Sequence, residues 1–578
     1  MKKGAVWLVF SHALRYPFQM AGAILCALGS VAASLIGPRL IGEAVDAMAS
    51  QGAVDFALVG RIVMELAFVY GIYSLALWCL SYLSNRIAYL TVKAMRSDLF
   101  DKMGALPLSF FDSVAYGDTM GRFVADMDAI ADALLQGVSV LFTGVATIVG
   151  AVFFMLGIDP LITLIVLAST PLSILVSRFI VMRSQKMFRE QARAQGVLGG
   201  YAEEMFSGQR VVQAFGREEA AAADFQKLND ELYSVGLKAQ LYSASINPTT
   251  RLVNNIAYAA VGAVACLAAI DGRVTVGGVS SFLIYAGVFA KPFNEITGVF
   301  TQIQAAFASS QRIGQMMSLQ PEAPDIPGSV PLKSVRGRIE FKHVFFSYTP
   351  GQTLISDFDL SVEPGSRIAI VGRTGAGKTT IVNLLMRFYE LESGSILLDG
   401  ADIAHLPREE LRKCFGMVLQ DAWLFEGTVA ENIAYGRPGA VREEIVKAAK
   451  AADAHGFVSR LPQGYDTLVS DAGENFSQGQ RQLLTIARVM LADPPVLILD
   501  EATSSIDTRT ERRVQRAFEA MMRGRTSFVI AHRLSTVREA DLIVVMEKGN
   551  IIESGAHEEL LERGGAYASL YNSQFAQS

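Results

Sequence analysis

Six charge-poor apolar stretches constrain this chain more than any other feature. They run from Phe18 to Pro38, Leu66 to Ser84, Leu134 to Ile158, Leu161 to Ser177, Leu252 to Ile270, and Val274 to Ala290. Each is close to the ~20 residues a helix needs to cross a hydrocarbon layer of ~30 Å, and the shorter ones can extend past a flanking charge. Six membrane spans are therefore expected, all before about residue 312, and the remainder has the polarity of a soluble protein. At 578 residues the chain is too long for one compact unit. A mean hydropathy of +0.32 agrees with a part in lipid. The 51 Lys plus Arg against 56 Asp plus Glu offer no basic excess for gripping nucleic acid, so none is expected as a partner. The scattered cysteines Cys26, Cys79, Cys266 and Cys414 have neither metal-ligand spacing nor the density of a disulfide framework.

The flanks of the spans set their orientation. Lys2, Lys3 and Arg15 precede the first; Arg86, Lys93, Arg96, Lys102 and Arg122 lie between the second and third; Arg183, Lys186, Arg189, Arg193, Arg210 and Arg217 follow the fourth. The opposite connections, Ile41 to Phe56, the Asp159-Pro160 corner and Asp271 to Arg273, are short and poor in positive charge. The positive-inside bias puts both termini in the cytoplasm. A cleaved signal peptide at the N-terminus is the alternative, and it would leave five spans. The inner connections, about Asn85 to Ala133 and Met182 to Asn247, are far longer than ordinary loops and carry helical periodicity. They are expected to project as helices with turns at Phe110-Phe111-Asp112-Ser113 and Phe206-Ser207-Gly208, positioned to touch a cytoplasmic domain. In the sixth span Lys291 and Glu295 are expected to pair along the helix rather than to contact substrate.

Closely spaced prolines between Gln320 and Gly328 forbid a continuous helix. The chain therefore divides into a membrane domain over 1–318, a linker over 319–336 and a soluble domain over 337–578. In the last, short apolar runs at Arg367 to Val371, Val496 to Leu499, Ser527 to Ala531 and Leu542 to Met546 alternate with helical segments. Runs of that kind suit strands buried on both faces, which predicts an α/β sheet flanked by helices.

The first of these strands runs into Gly372-Arg373-Thr374-Gly375-Ala376-Gly377-Lys378-Thr379-Thr380 and then a helix, the phosphate-binding loop pattern in its strand-loop-helix setting. Glycines let backbone N–H groups turn toward phosphate oxygens, and the helix N-terminus adds its positive end. Lys378 supplies a point charge for the β- and γ-phosphates, and the Thr379 hydroxyl is suited to ligate Mg²⁺. The strand Val496 to Leu499 ends in Asp500-Glu501, which delivers two carboxylates to the same edge of the sheet. Asp500 is placed to orient the Mg²⁺ shell and Glu501 to polarise a water for attack on the γ-phosphate.

These elements indicate an NTPase, and Asn475-Phe476-Ser477-Gln478-Gly479-Gln480-Arg481-Gln482 narrows the class. It resembles the signature of the ATP-binding cassette (ABC) family, usually LSGGQ. The resemblance extends along the soluble half. It implies that Tyr348 stacks on adenine, that Gln420 senses Mg²⁺ and the membrane domain, that Ser504-Ser505-Ile506-Asp507 crosses a dimer interface, and that His532 reads the γ-phosphate. Phe110-Phe111-Asp112 with Gly117, Glu203-Glu204 with Ser207-Gly208, and Ala214-Phe215-Gly216-Arg217-Glu218 look like the cytoplasmic loops of ABC exporters for drugs, lipids and peptides. The fold so implied is multidomain. An all-α six-helix transmembrane domain of the type I exporter, or type IV, kind precedes an α/β P-loop domain with a helical subdomain. ATP and Mg²⁺ are the implied cofactors, and a bacterial cytoplasmic membrane the implied location.

In that family nucleotide lies between the phosphate loop of one cassette and the signature of another. Ser477, Gly479 and Gln480 would then meet the γ-phosphate held by a partner's lysine, and hydrolysis would release the closed pair and drive alternating access. One chain is thus half of a transporter. Its signature has Phe476 for the usual Leu and Gln478 for the first Gly, while Glu501 and His532 are intact; this looks like one member of a heterodimeric bacterial exporter, with a homodimer as the alternative. A siderophore-type importer of the same architecture and an ATP-gated channel or regulator remain open. A cavity of apolar and small residues suits drugs, lipids and peptides alike.

Overall fold

The computed structural model describes residues 2–49, 54–325, 332, 334–349, 351–420, 422–470, 473, 475–500, 508–531 and 534–574. It forms two compact units, one from Met1–Gly104 with Ala115–Leu319 and the other from Ala105–Val114 with Gln320–Ser578.

Among its described residues the first unit consists of helices joined by short turns. Its helices are α1 (Lys2–Ala13), α2 (Pro17–Ala49) and α3 (Phe56–Gly104); after α4 (Leu108–Ser113), which belongs to the other unit, come α5 (Tyr116–Gly121), α6 (Met127–Gln136), α7 (Thr143–Ile158), α8 (Pro160–Ser207), α9 (Gln209–Ala214), α10 (Glu218–Ile270) and α11 (Val276–Ser318). Two π-helical turns, Arg122–Asp126 and Gly137–Phe142, join α5 to α6 and α6 to α7. Five stretches among the described residues are long and apolar enough to cross a membrane, and they carry five of the expected spans. The remaining one, Leu161 to Ser177, falls on α8. At 1.5 Å per residue the 49 residues of α3 reach about 74 Å, more than twice the hydrocarbon thickness. The long connections are therefore largely continuations of the spanning helices, with α3 running on to Gly104, α8 to Ser207 and α10 starting at Glu218.

The short turns between spans are fixed by polar contacts. The Asp159 carboxylate caps α8 by accepting from the N–H groups of Leu161 and Ile162 at 2.8 and 3.1 Å, with Pro160 at the first turn. It also pairs with Arg273 at 2.7 Å, tying the corner before α8 to the turn before α11. Close approach of α2 and α11 needs small residues, because a Cβ at Gly277 would sit 1.9 Å from the Gly42 carbonyl oxygen. Around Pro38, inside α2, two side chains of α11 supply donors: Ser281 to the Pro38 carbonyl and Tyr285 to that of Leu35, at 2.8 and 2.6 Å. Lys291 and Glu295 pair along α11 at 3.7 Å, the intrahelical pairing expected.

The second unit holds two main sheets. Strands β1 (Ile339–Phe346), β2 (Ile355–Val362), β3 (Arg367–Val371), β4 (Ser393–Leu398), β5 (Ala401–Asp402), β6 (Phe415–Val418), β7 (Gly427–Thr428), β8 (Leu468–Val469), β9 (Val496–Asp500), β10 (Thr526–Ile530), β11 (Leu542–Glu547) and β12 (Asn550–Gly555) follow in order. The central sheet, β12-β11-β3-β10-β9-β6, is parallel except for β12 at one edge. Burial of Ile368 to Val371 and of Val496 to Leu499 explains why both run apolar without alternation. A separate antiparallel sheet, β2-β1-β4-β5, was not among the sequence expectations. A helical subdomain between β6 and β9 packs Ile433, Ala449, Val458, Phe476 and Leu484 into a core that continues onto Val418, Leu499 and Val529 of the central sheet.

The segment after α11 is gripped rather than loose. Arg408, 8% exposed in its side chain, bonds to Asp325 at 2.9 Å and to Glu390 at 2.6 Å; Arg412 meets Glu322 at 3.0 Å, and Arg387, 7% exposed, meets Glu390 at 3.0 Å. The Glu322 N–H donates to the Ala105 carbonyl at 2.7 Å, so the stretch following α11 and the stretch following α3 are held together. Arg408→Ala would leave Asp325 and Glu390 facing an emptied site. Because both carboxylates keep solvent contact, a loss of about 2–3 kcal/mol is expected, below the usual cost of breaking a buried pair. An earlier thermal transition of the purified protein is the check, with Arg408→Lys restoring only part of the loss because an ammonium cannot fork to both carboxylates.

Candidate nucleotide site

The phosphate loop is built where β3 ends. Gly375 and Gly377 have φ of 83° and 97°, the left-handed region that a Cβ disfavours, and Gly377 is the residue from which the helix α12 (Lys378–Leu385) starts. The loop is clamped from behind by the Gly549 N–H, which donates to the Ala376 carbonyl at 2.9 Å. Arg373, Thr374, Gly375 and Thr379 are exposed, and Ala376 and Thr380 are buried. A Cβ on Gly375 would meet nothing within 4 Å, so the mouth of the loop is open. The Lys378 ammonium folds over it, donating to the carbonyls of Gly372 at 2.7 Å and Arg373 at 3.2 Å. Burial pushes its pKa below the ordinary lysine value, while the Asp500 carboxylate acts in the opposite direction and favours the charged form.

Register places the second element. Ile530 of β10 lies opposite both Ile370 of β3 and Asp500 of β9, so Asp500 emerges level with the residues that enter the phosphate loop. On the other side of β9, Val418 of β6 pairs with Leu499, which brings the exposed Gln420 to the same sheet edge. Thr379, Asp500 and Gln420 offer only oxygen donors, the set a hard divalent cation such as Mg²⁺ takes. The carried-over Glu501, Asp507 and His532, with Ser504, Ser505 and Ile506, lie outside the described residues.

Tyr348 follows β1 and stands at the flank of α12. Its hydroxyl donates to the Thr380 hydroxyl and accepts from the Asn383 amide, both at 3.2 Å, and its ring packs edge-on against Phe346 and Tyr389 with centroids 4.9 and 5.0 Å away. Tyr348 remains 47% exposed, which leaves it accessible to a flat ligand. The signature occupies the helical subdomain. Ser477 caps the helix Gln478–Ala492 by a reciprocal pair: the Gln480 N–H donates to its hydroxyl at 3.3 Å, and its own N–H donates to the Gln480 side chain at 3.0 Å. Gln480 thus has a capping task that its spacing from Ser477 could have revealed. Phe476 is 4% exposed and meets Phe457 edge-on, so this departure from the usual Leu is a core side chain.

A phosphate loop, an acidic strand end and a capped signature helix on one sheet-and-helix frame, preceded by a bundle of membrane-length helices, match two family models in that order. These are the ABC transporter transmembrane region over residues 20–293 and the ABC transporter over 355–504. The chain belongs to the ABC exporters. It is 45% identical over 517 residues to the fatty acid ABC transporter ATP-binding/permease protein of Mycobacterium tuberculosis (strain CDC 1551 / Oshkosh), covering 89% of this chain and 82% of that one. It is 35% identical over 575 residues to the ATP-dependent lipid A-core flippase of Hahella chejuensis, covering 99% and 96%. Among solved structures, a bacterial Atm1-family ABC exporter with ATP bound superposes with a TM-score of 0.79 at 30% identity, covering 97% of this chain and 98% of that one. This ABC exporter is accordingly a multi-pass membrane protein whose ATP-binding domain powers transport. Asn383 and Tyr389, which support the Tyr348 ring from outside the site, were passed over by sequence reading, although an aromatic just beyond the phosphate-loop helix was there to notice.

Proposed function

We propose that the chain is one half of a dimeric exporter that moves lipid-like amphiphiles out of the inner leaflet of a bacterial cytoplasmic membrane, driven by ATP. A single observation carries the substrate class. Within the first unit lies a cavity of about 470 Å³, lined by Phe10, Ile24, Ile87, Leu134, Phe142 and Phe307 among others. Among the described residues that line it, Ser310 has the one polar side chain, and its hydroxyl donates to the Phe307 carbonyl at 2.9 Å. Such a wall accepts hydrocarbon and rejects headgroups, which argues for an acyl chain over a peptide. The π-helical turn Gly137–Phe142 forms part of the wall, and turns of this kind recur at functional sites. The fatty acid and lipid A-core relatives point to the same class.

A Cβ at Gly137 would enter open space, so the position tolerates a larger side chain that fills the cavity. Gly137→Phe is expected to raise the half-stimulating concentration of a long-chain fatty acid on the ATPase by at least about ten-fold, with basal hydrolysis kept. An unchanged stimulation curve would remove this cavity from the transport path.

At the nucleotide, Lys378 holds the β- and γ-phosphates, loop N–H groups complete the cradle, and Glu501 takes a proton from the attacking water. Bound Mg²⁺, held by Thr379, Asp500 and Gln420, would neutralise phosphate charge. Ser477, Gly479 and Asp507 serve the partner's nucleotide, with Gln480 bracing Ser477, and His532 the γ-phosphate of its own. Positive-inside flanks put both termini in the cytoplasm. A similar but non-identical half is proposed as partner, and Gln478 carries that choice, since Phe476 has a packing reason of its own. Full turnover by the purified chain paired only with itself would replace the heterodimer by a homodimer.

A further inference from the structure

The second unit joins the base-facing side of the nucleotide site to a segment that lies between the second and third spans in sequence. Tyr389 stands between them. Its ring meets Tyr348 edge-on at 5.0 Å and Phe346 at 5.8 Å, and its hydroxyl donates to the carboxylate of Asp112 on α4. Tyr348 in turn is fixed to α12 through Thr380 and Asn383, the helix that begins at Lys378. The path from phosphate loop to α4 thus runs through two tyrosines, with one hydrogen bond at its far end. That bond is the weak point of the path, because Asp112 is exposed and no other described hydrogen bond or ion pair holds its carboxylate to the cassette. A ligand that moves the Tyr348 ring must therefore move Tyr389 or break its packing. Burial and the neighbouring Asp112 both hold the Tyr389 phenol protonated, so the hydroxyl remains a donor throughout the working range.

We propose that Tyr389 is a positioning residue that reports base occupancy at Tyr348 to α4, so that α4 is held firmly when a nucleotide with its base is bound and loosely when phosphates alone are bound. The proposal rests on Tyr348 as the base-stacking ring. It adds a distinction between base and phosphate that the phosphate loop cannot make, since Lys378 and the loop N–H groups see only oxygens. The occupant recognised is a flat heteroaromatic ring, and the response is the stability of residues 108–113.

The test is hydrogen exchange of residues 108–113 in the full-length protein, with a non-hydrolysable ATP analogue or with inorganic tripolyphosphate. In wild type the analogue is expected to slow exchange of these amides about three- to ten-fold, and tripolyphosphate to leave them unchanged. Tyr389→Phe keeps the ring and its packing but not the donor. It should bind the analogue with unaltered affinity yet lose the slowing at 108–113, and Asp112→Ala should do the same, the double variant being no worse than either single one. Equal slowing by tripolyphosphate, or an intact response in Tyr389→Phe, would overturn the proposal. Tyr348→Ala tests the underlying reading separately: undiminished affinity there would show that Tyr348 does not stack on the base, whatever Tyr389 does.

Discussion

Replacement of Glu501 by Gln is expected to lower ATP hydrolysis at its own site by about 10²–10⁴-fold, the usual contribution of a positioned general base, while ATP is still bound. The amide keeps the size of the carboxylate and can still accept a hydrogen bond from water, but it cannot take the proton. Binding is expected to depend on other groups: the Lys378 ammonium at the loop, the open mouth at Gly375 and the Tyr348 ring. An effect on kcat with little on nucleotide affinity is the signature of an interaction made only in the transition state. Cassettes that bind but do not hydrolyse should accumulate in the closed dimer, so the variant should also trap the transporter in a single state. In a heterodimer this must be measured with the second site silenced, because that site masks the loss. Hydrolysis within a few-fold of wild type under those conditions would take the base role away from Glu501.

The parts of this architecture legible in the sequence are those whose signals are local. Each span announces itself through a charge-poor, mostly apolar stretch of roughly twenty residues, and β3, the glycine loop and α12 are contiguous. The antiparallel sheet was not read because register shifts between Phe341 and Val344, around the left-handed His343, break the alternation of β1. The two π-helical turns leave no trace in apolar spacing. Arg408 is out of reach for another reason. Its partners Asp325 and Glu390 lie 83 and 18 positions away, and a charged side chain in a polar stretch reads as surface until folding buries it. The same holds for Tyr389, whose partner Asp112 is 277 positions distant. Conversely, Phe476 looked like a weakened signature and is a core residue of the helical subdomain. Motif letters alone could not separate packing from nucleotide contact.

Lys378→Ala should fail at the step that Glu501→Gln leaves intact. The ammonium donates to the carbonyls of Gly372 and Arg373, so the truncated loop loses an internal brace as well as a charge. A hydrogen bond to a charged group contributes about 1.5–3 kcal/mol, which corresponds to roughly 10- to 150-fold in ATP affinity. Burial has already removed part of the lysine's hydration, which lowers the desolvation that phosphate binding must still overcome. Lys378→Arg is not a conservative rescue. A planar fork that follows Gly377 in a tight loop cannot turn back to the Gly372 carbonyl as a point charge does. Equilibrium binding of a fluorescent ATP analogue to both variants discriminates the roles: weak binding in Lys378→Ala with tight binding in Glu501→Gln assigns grip to one residue and proton transfer to the other. Equal affinities in the two would mean that the loop backbone alone holds the phosphates and that Lys378 acts on the transition state.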